Sequence, residues 1–227
     1  MRRVTTLYSS SVGKKIAMAL SGIILFGFVL MHMLGNLKAF EGREAMNSYA
    51  EFLRVVGTPI VPEYGVLWLV RIALLAAVGV HALSAFQLWR QSRSARTHRY
   101  LKSRSQVFSY ASRTMRWGGV IVLAFIVYHL LHMTTGTVHP DFEYGSVYDN
   151  LVIGFQSAPV TAFYLVAVGA LSIHLYHGLW SVFSTLGNEN VRVNRIRRPA
   201  AAAIAIGMFL GYAVVPLAVV LGILTLG

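Results

Sequence analysis

The sequence predicts an all-α integral membrane protein: a bundle of five transmembrane helices with its N-terminus in the cytoplasm. Three observations lead to this fold class. Of the 227 residues, 56% are hydrophobic and 12% charged, whereas soluble domains are about half apolar and a quarter charged. Five separate apolar runs are each long enough to cross a bilayer, which takes ~20 residues. The basic residues are concentrated in particular loops, as in membrane proteins generally.

The five predicted helices make up a single transmembrane domain that covers residues 1–227. They span residues 16–37, 64–89, 117–135, 159–183 and 200–226. Pro159 and Pro199 are expected at helix starts, because a proline in the first turn costs no hydrogen bond. The first apolar run is too long for a cleavable signal peptide and lacks a small-residue cleavage site, so we expect none.

Loop charges predict how the helices are oriented. Lys and Arg are clustered in the N-terminal segment and in the second and fourth loops, whereas the third loop has Asp141, Glu143 and Asp149 but no Lys or Arg. The positive-inside rule places the N-terminus and both basic loops in the cytoplasm and the C-terminus outside. The formal net charge of +12 then belongs to one face. Such a face suits anionic lipid and a cytoplasmic partner, and no nucleic acid is needed to explain it.

Histidine is the metal ligand that this chain offers. The chain has no cysteine, which excludes Cys-ligated iron–sulfur clusters, covalent c-type haem and internal disulfides. An ionisable side chain at membrane depth is costly and therefore marks a candidate functional site. Four predicted helices carry such histidines, namely His32, His81, His129 with His132, and His174 with His177. His98 and His139 fall in loops, where we expect them to be solvated.

These histidines sort into two layers by depth. At 1.5 Å per residue, the first histidine of each helix lies roughly 18–26 Å beyond the face where its helix enters the membrane. Helices one and three run outward and helices two and four run inward. The outer layer therefore holds His32 with His129 or His132, and the inner layer holds His81 with His174 or His177. Two histidines from facing helices at one depth can bind haem iron axially, so the layers predict two stacked haems.

Short motifs around four of these histidines resemble one protein family. MHMLGNL around His32, VHALSAF around His81, YHLLHMTTG around His129 and IHLYHGLWS around His174 are similar to the cytochrome b subunit of succinate:quinone oxidoreductases, in its five-helix, two-haem branch. The resemblance implies two haem b groups. It implies His32 and His129 as the outer ligands and His81 and His174 as the inner ones, which leaves the second histidine of each doublet as an alternate.

The same resemblance implies an activity and partners. The chain would be the membrane subunit of a succinate dehydrogenase or fumarate reductase in a prokaryotic cytoplasmic membrane. It would pass electrons between cytoplasmic flavoprotein and iron–sulfur subunits and a membrane quinone, with menaquinone implied. This chain has neither a dinucleotide-binding fingerprint nor cysteines, so the flavin and succinate sites would belong to the other subunits.

Two further residues are candidates for cofactor binding. Arg71, near the outer end of helix two, either pairs with a propionate of the outer haem or extends to the membrane interface. Glu51, outside helix one, either contributes to a quinone site or is an exposed loop carboxylate. Two rival functions also fit the histidines: the di-haem anchor of a hydrogenase or formate dehydrogenase, and a non-redox transporter in which histidines relay protons.

Overall fold

The computed structural model describes residues 10–94, 106–185 and 191–226, and this part of the chain is helical, with no strand. Its α-helices are α1 (Ser11–Leu37), α2 (Arg43–Val55), α3 (Gly65–Ser94), α4 (Gln106–Met133), α5 (Val147–Gln156), α6 (Ala158–Thr185) and α7 (Val191–Val220). A short 3-10 helix, Lys38–Glu41, joins α1 to α2. The all-α prediction is confirmed.

Five of these helices, α1, α3, α4, α6 and α7, are long and apolar enough to cross a membrane. This confirms the predicted number of spans within the described residues. The first four pack as two hairpins, α1 against α3 and α4 against α6, and α7 packs against α6 and α1. Any site between the two hairpins is therefore assembled from helices that are distant in sequence.

The helix ends differ from the prediction where charged residues flank an apolar run. Helix α1 begins at Ser11, where the Ser10 hydroxyl accepts the Gly13 N–H at 3.0 Å, and α4 begins at Gln106. Helix α7 begins at Val191, so Pro199 lies inside it and the prediction of a start there was wrong. Lys, Arg and Gln are good helix formers, so these helices continue beyond their apolar spans.

Helix α7 also ends earlier than predicted, at Val220 instead of residue 226. Gly222 adopts a φ of +71°, a left-handed conformation that glycine reaches at little cost. The Ile223 N–H then donates to the Ala218 carbonyl at 2.8 Å, which closes the helix end. Apolar composition alone does not reveal this stop, because the residues beyond it are still mostly apolar.

The two short helices α2 and α5 were not predicted, and they form a cap at one end of the bundle. Helix α5 buries Tyr148, Leu151, Val152 and Phe155, which share one helical face. They pack in a single apolar cluster with residues from α2, α6 and α7, including Met46, Tyr164, Val215, Ala218 and Val219. We call this the cap end. The opposite end, which carries Arg90, Arg93, Arg195, Arg197 and Arg198, is the basic end.

The C-terminal segment is attached to the cap. The Arg43 Nε lies 2.8 Å from the Asp149 Oδ1, and the same guanidinium donates to the Leu226 carbonyl. The Tyr148 hydroxyl donates to the Thr225 carbonyl at 3.1 Å. These contacts connect α2, α5 and the chain after α7, so the cap end is the tightly connected part of the molecule.

Candidate haem sites

One histidine pair lies toward the cap end, between α1 and α4. The His32 and His129 ring centroids are 5.8 Å apart, with an interplanar angle of 75°. Phe28 stacks on His32 with centroids 5.4 Å apart, and Phe125 packs on His129 at 5.7 Å. The structure thus brings together the two side chains that the resemblance pairs as outer ligands. We call them the cap-end pair.

The second pair lies toward the basic end, between α3 and α6. The His81 and His174 ring centroids are 6.1 Å apart, with an interplanar angle of 68°. The His81 Nδ1 lies 3.0 Å from the Met18 carbonyl oxygen and 3.4 Å from the Ser21 hydroxyl. A carbonyl oxygen only accepts, so Nδ1 carries the proton and Nε2 keeps the lone pair that could bind a metal. We call these two histidines the basic-end pair.

Glycines on α1 and α4 make room for the basic-end pair. A Cβ atom at Gly22 of α1 would lie 3.2 Å from the His81 Cε1, tighter than most real contacts. A Cβ atom at Gly119 of α4 would lie 3.5 Å from the His174 Cε1. A side chain at position 22 would therefore require the His81 imidazole or α1 to shift by a few tenths of an ångström.

The spacing of both pairs suits one iron atom between two imidazoles. A metal–nitrogen bond is ~2.0 Å and the imidazole centroid lies ~1.2 Å behind its nitrogen, so two axial ligands of one iron have centroids about 6.4 Å apart. The observed 5.8 and 6.1 Å are slightly shorter.

The described residues contain no group of three or more metal-ligating side chains. A bis-histidine haem needs only two, because the porphyrin supplies the other ligands. The residues present fit the group.

Both pairs connect one helical hairpin to the other. Helix α1 packs on α3 and α4 packs on α6, yet the cap-end pair joins α1 to α4 and the basic-end pair joins α3 to α6. Each pair is thus made by facing helices, one from each hairpin. This is the arrangement that two layers of axial ligands require.

The second histidine of the α4 doublet, His132, lies in different surroundings from His129. Its side chain is completely buried, and its Nδ1 is 2.9 Å from the Tyr164 hydroxyl. Its ring stacks on Tyr128 at 5.5 Å and lies 4.9 Å from the ring of His139. It therefore packs against α5, α6 and the third loop, whereas His129 contacts His32.

The second histidine of the α6 doublet also differs from the first. The Nε2 of His177 lies 3.4 Å from the Thr114 hydroxyl of α4, and its ring packs on Tyr176 at 5.1 Å. His174, three residues earlier, is the one that faces His81. In both doublets, the first histidine contacts the histidine of the other hairpin.

The expectation that His139 is solvated was wrong. Its side chain is buried; the Nε2 donates to the Asn150 carbonyl at 2.8 Å, and the Nδ1 accepts the Asp141 N–H at 3.2 Å. These two partners fix a neutral tautomer with the proton on Nε2. The loop around it is packed by the cap, which loop position alone does not reveal. His98 lies outside the described residues.

Arg71 of α3 has an aromatic neighbour. Its guanidinium lies over the Trp68 ring, 5.0 Å from the centroid, and the side chain is partly buried. A cation over an indole ring is typical of residues near the membrane interface. The propionate contact considered for Arg71 stays a prediction.

Glu51 lies on α2 and not in a loop. It is exposed, and its Oε2 is 3.5 Å from the Arg54 Nη1. Both residues line an open polar pocket of about 360 Å³ at the cap end, together with Asn47, Ser48 and Gly145. Beside it, a hydrogen bond with Tyr144 raises the pKa of Tyr64, and the Arg54 guanidinium lies over the Tyr144 ring. The quinone role of Glu51 stays a prediction.

The side chains that contact the imidazoles were not predicted from the sequence. Tyr164 of α6 lies between the α4 histidines, with its hydroxyl 3.3 Å from the His129 Nδ1 and 2.9 Å from the His132 Nδ1. Ser21 and the Met18 carbonyl approach His81. One signal was available for Tyr164: a tyrosine inside an apolar span needs a partner for its hydroxyl.

Comparison with known proteins gives one family match. The model of the family described as "Succinate dehydrogenase/Fumarate reductase transmembrane subunit" matches residues 90–214, more than half of the chain. The match includes both histidine doublets, whereas His32 and His81 precede it. No curated protein and no solved structure matches the chain.

Proposed function

The chain belongs to the succinate dehydrogenase/fumarate reductase transmembrane subunit family, and we propose that within that complex it is a di-haem cytochrome b. It is a multi-pass membrane protein and a subunit of an enzyme, and it is not itself the catalytic chain. We propose that it passes electrons between cytoplasmic flavoprotein and iron–sulfur subunits and a membrane quinone, for which menaquinone is our candidate.

One observation carries this proposal: two histidine pairs join the hairpins, with centroid distances of 5.8 and 6.1 Å. We assign His32 and His129 as the residues that would hold a haem at the cap end, and His81 and His174 as those that would hold one at the basic end. Haem iron supplies one-electron redox chemistry at each site. The family match favours this complex over a hydrogenase or formate dehydrogenase anchor, and the paired geometry favours haem binding over a proton relay in a transporter.

The residues around each pair hold the imidazoles and keep the surroundings apolar. At the basic end, the Met18 carbonyl accepts the His81 Nδ1–H and so fixes the ring orientation. At the cap end, Phe28 and Phe125 pack on the two rings. The surrounding spans have mean hydropathies of 1.6 to 2.3. An apolar shell limits water and lowers the dielectric, which are two of the factors by which a protein sets a haem potential.

We infer that the basic end faces the cytoplasm and receives the other subunits. There, Arg93 lies over the Trp89 ring at 5.3 Å, and Arg198 lies over the Trp180 ring at 5.0 Å. Tryptophan is enriched at both membrane interfaces, whereas an excess of Lys and Arg marks the cytoplasmic one, so the cluster of arginines supports this orientation. The cap end would then face outward, with the Glu51 pocket as the candidate quinone site.

Affinity purification of this chain from its native membrane in mild detergent tests the assignment. We expect the flavoprotein and iron–sulfur subunits to co-purify, and succinate to reduce the b-type absorption bands of the complex. A dithionite-reduced sample gives the full extent of reduction, and a sample without succinate serves as the control. Recovery of the chain with hydrogenase or formate dehydrogenase subunits, or without any b-type absorption, would contradict the proposal.

A further inference from the structure

A buried hydrogen-bonded cluster lies beside the cap-end pair. We propose that Tyr164 is a positioning residue for His129, and that its hydroxyl links His129 to His132 in series. The inference rests on the proposed function, because it concerns the ligand of the cap-end haem. The Tyr164 hydroxyl lies 3.3 Å from the His129 Nδ1 and 2.9 Å from the His132 Nδ1.

The direction of these hydrogen bonds follows from ligation. If His129 binds iron through Nε2, its Nδ1 carries a proton and must donate it to the Tyr164 oxygen. The Tyr164 hydroxyl then has its own proton for the Nδ1 of His132, and the shorter of the two distances is the one to His132. A hydroxyl that donates is a better acceptor, so the contact with His132 strengthens the contact with His129.

Packing holds this cluster in place. Tyr164 is 5% exposed and His132 is 0% exposed, and the Tyr164 ring packs edge-on against Phe125 and Phe155 at 5.0 and 4.9 Å. A Cβ atom at Gly154 of α5 would lie 2.9 Å from the His132 Cε1, so α5 admits His132 only because this position is glycine. Helix α5 of the cap therefore helps to hold His132, which is hydrogen-bonded to Tyr164, the partner of His129.

The two haem sites differ as a result. His81 donates to a backbone carbonyl, which no substitution removes, whereas His129 donates to a side-chain hydroxyl. Hydrogen bonding from the second ring nitrogen makes an imidazole a stronger electron donor and stabilises ferric iron. Loss of the Tyr164 hydroxyl should therefore raise the reduction potential of the cap-end haem and leave that of the other haem unchanged.

Redox titration of the purified complex, followed by optical and electron paramagnetic resonance spectra, tests the inference. The variants are Tyr164→Phe, His132→Leu, and the two combined. The matched control is Tyr212→Phe, because Tyr212 lies in the same layer, 6.2 Å from the His32 ring, but its hydroxyl donates to the Val29 carbonyl at 2.6 Å. We expect the reduction potential of the cap-end haem to shift upward in Tyr164→Phe, to shift upward by less in His132→Leu, and to stay unchanged in Tyr212→Phe.

The combined variant tests the series arrangement. Without the Tyr164 hydroxyl, His132 has no hydrogen-bonded link to His129. The double variant should therefore shift the potential of the cap-end haem no further than Tyr164→Phe alone. No shift in Tyr164→Phe, equal shifts in Tyr164→Phe and Tyr212→Phe, or additive shifts in the double variant would each overturn the inference. If Tyr164→Phe does not assemble, the two His132 variants provide the test. His132→Gln keeps a hydrogen-bond acceptor and should retain the wild-type potential, whereas His132→Leu should not. Equal potentials in His132→Gln and His132→Leu would overturn the inference as well. Wild-type complex without two haems would instead refute the proposed function.

Discussion

At the scale of single residues, the two histidines of each doublet have different neighbours. His129 and His174 face the histidines of the other hairpin. His132 is buried against Tyr164, and His177 lies beside Thr114. Three residues along a helix turn the side chain by roughly 60° relative to its predecessor, which is enough to give the two histidines of a doublet different neighbours.

Alanine substitutions distinguish these roles. His129→Ala and His174→Ala should each lower the haem content from two per chain to one, because each removes one of the two protein ligands proposed for an iron. His132→Ala and His177→Ala are the matched controls and should retain both haems. Haem quantification by pyridine haemochrome, with redox-resolved spectra, gives the result. Loss of a haem in His132→Ala together with retention of both in His129→Ala would reverse the choice on α4.

The glycine beside His81 gives a second test at this scale. In Gly22→Val, the new side chain must displace the His81 imidazole, because even a Cβ atom would be 3.2 Å from its Cε1. We expect partial or complete loss of the basic-end haem and retention of the other. Gly207→Val is the control, since a Cβ atom there meets nothing within 4 Å. Equal haem content in the two variants would show that the packing at Gly22 does not position the ligand.

The histidine pairs could be predicted from sequence, whereas their hydrogen-bonding partners could not. The order of the helices and the depth of each histidine in the membrane follow from where each apolar run begins. These two quantities are enough to place His32 opposite the α4 doublet. The contact of Tyr164 with His129 depends on how α6 is rotated against α4. A span that is apolar on every side, as α6 is, carries no periodicity that reports its rotation.

At the scale of elements, the cap formed by α2 and α5 is the part of the fold that hydropathy misses. The i, i+3, i+4, i+7 spacing of Tyr148, Leu151, Val152 and Phe155 is legible in the sequence. Ten residues are too few to span a membrane, however, so a search for spans passes over this segment. The spans themselves were found because their length and composition suffice.

Asn150 should be the residue on which the folding of the third loop most depends. It is 5% exposed; its Oδ1 accepts the Glu143 N–H at 2.9 Å, and its Nδ2 donates to the Glu143 carbonyl at 2.7 Å. Asn150→Ala leaves both backbone groups without these partners, and we expect a loss of about 1–3 kcal/mol of stability. Thermal unfolding in detergent measures it. Asp141→Ala, at an exposed position of the same loop, is the control; equal melting temperatures for the two variants would contradict the account.

At the scale of the whole molecule, charge is divided between the two ends. The basic end carries arginines of α3 and α7, whereas the cap end and its loops carry the acidic side chains Glu41, Glu44, Glu51, Asp141 and Glu143 together with Lys38, Arg43 and Arg54. The sequence was enough to predict this division, since it depends only on which loops join which spans. Successive spans in the described part of the chain run in opposite directions, as the predicted division of charge requires.

The absence of native cysteine allows a direct test of orientation. Single cysteines at Ser94, at the end of α3, and at Glu143, in the loop before α5, should react from opposite sides of sealed vesicles. We expect a membrane-impermeant maleimide to label Ser94→Cys only from the cytoplasmic side and Glu143→Cys only from the outside. Detergent-opened vesicles, in which both should react, provide the control. The reverse pattern would invert the topology and exchange the inner and outer haem assignments.

The central claim, that this chain binds two haems between its two hairpins, is tested most directly by haem stoichiometry. The purified wild-type complex should contain two b-type haems per copy of this chain by pyridine haemochrome assay. Both should give low-spin, bis-histidine signals by electron paramagnetic resonance, because each iron would lie between two imidazoles. One haem per chain, or none, would contradict the account.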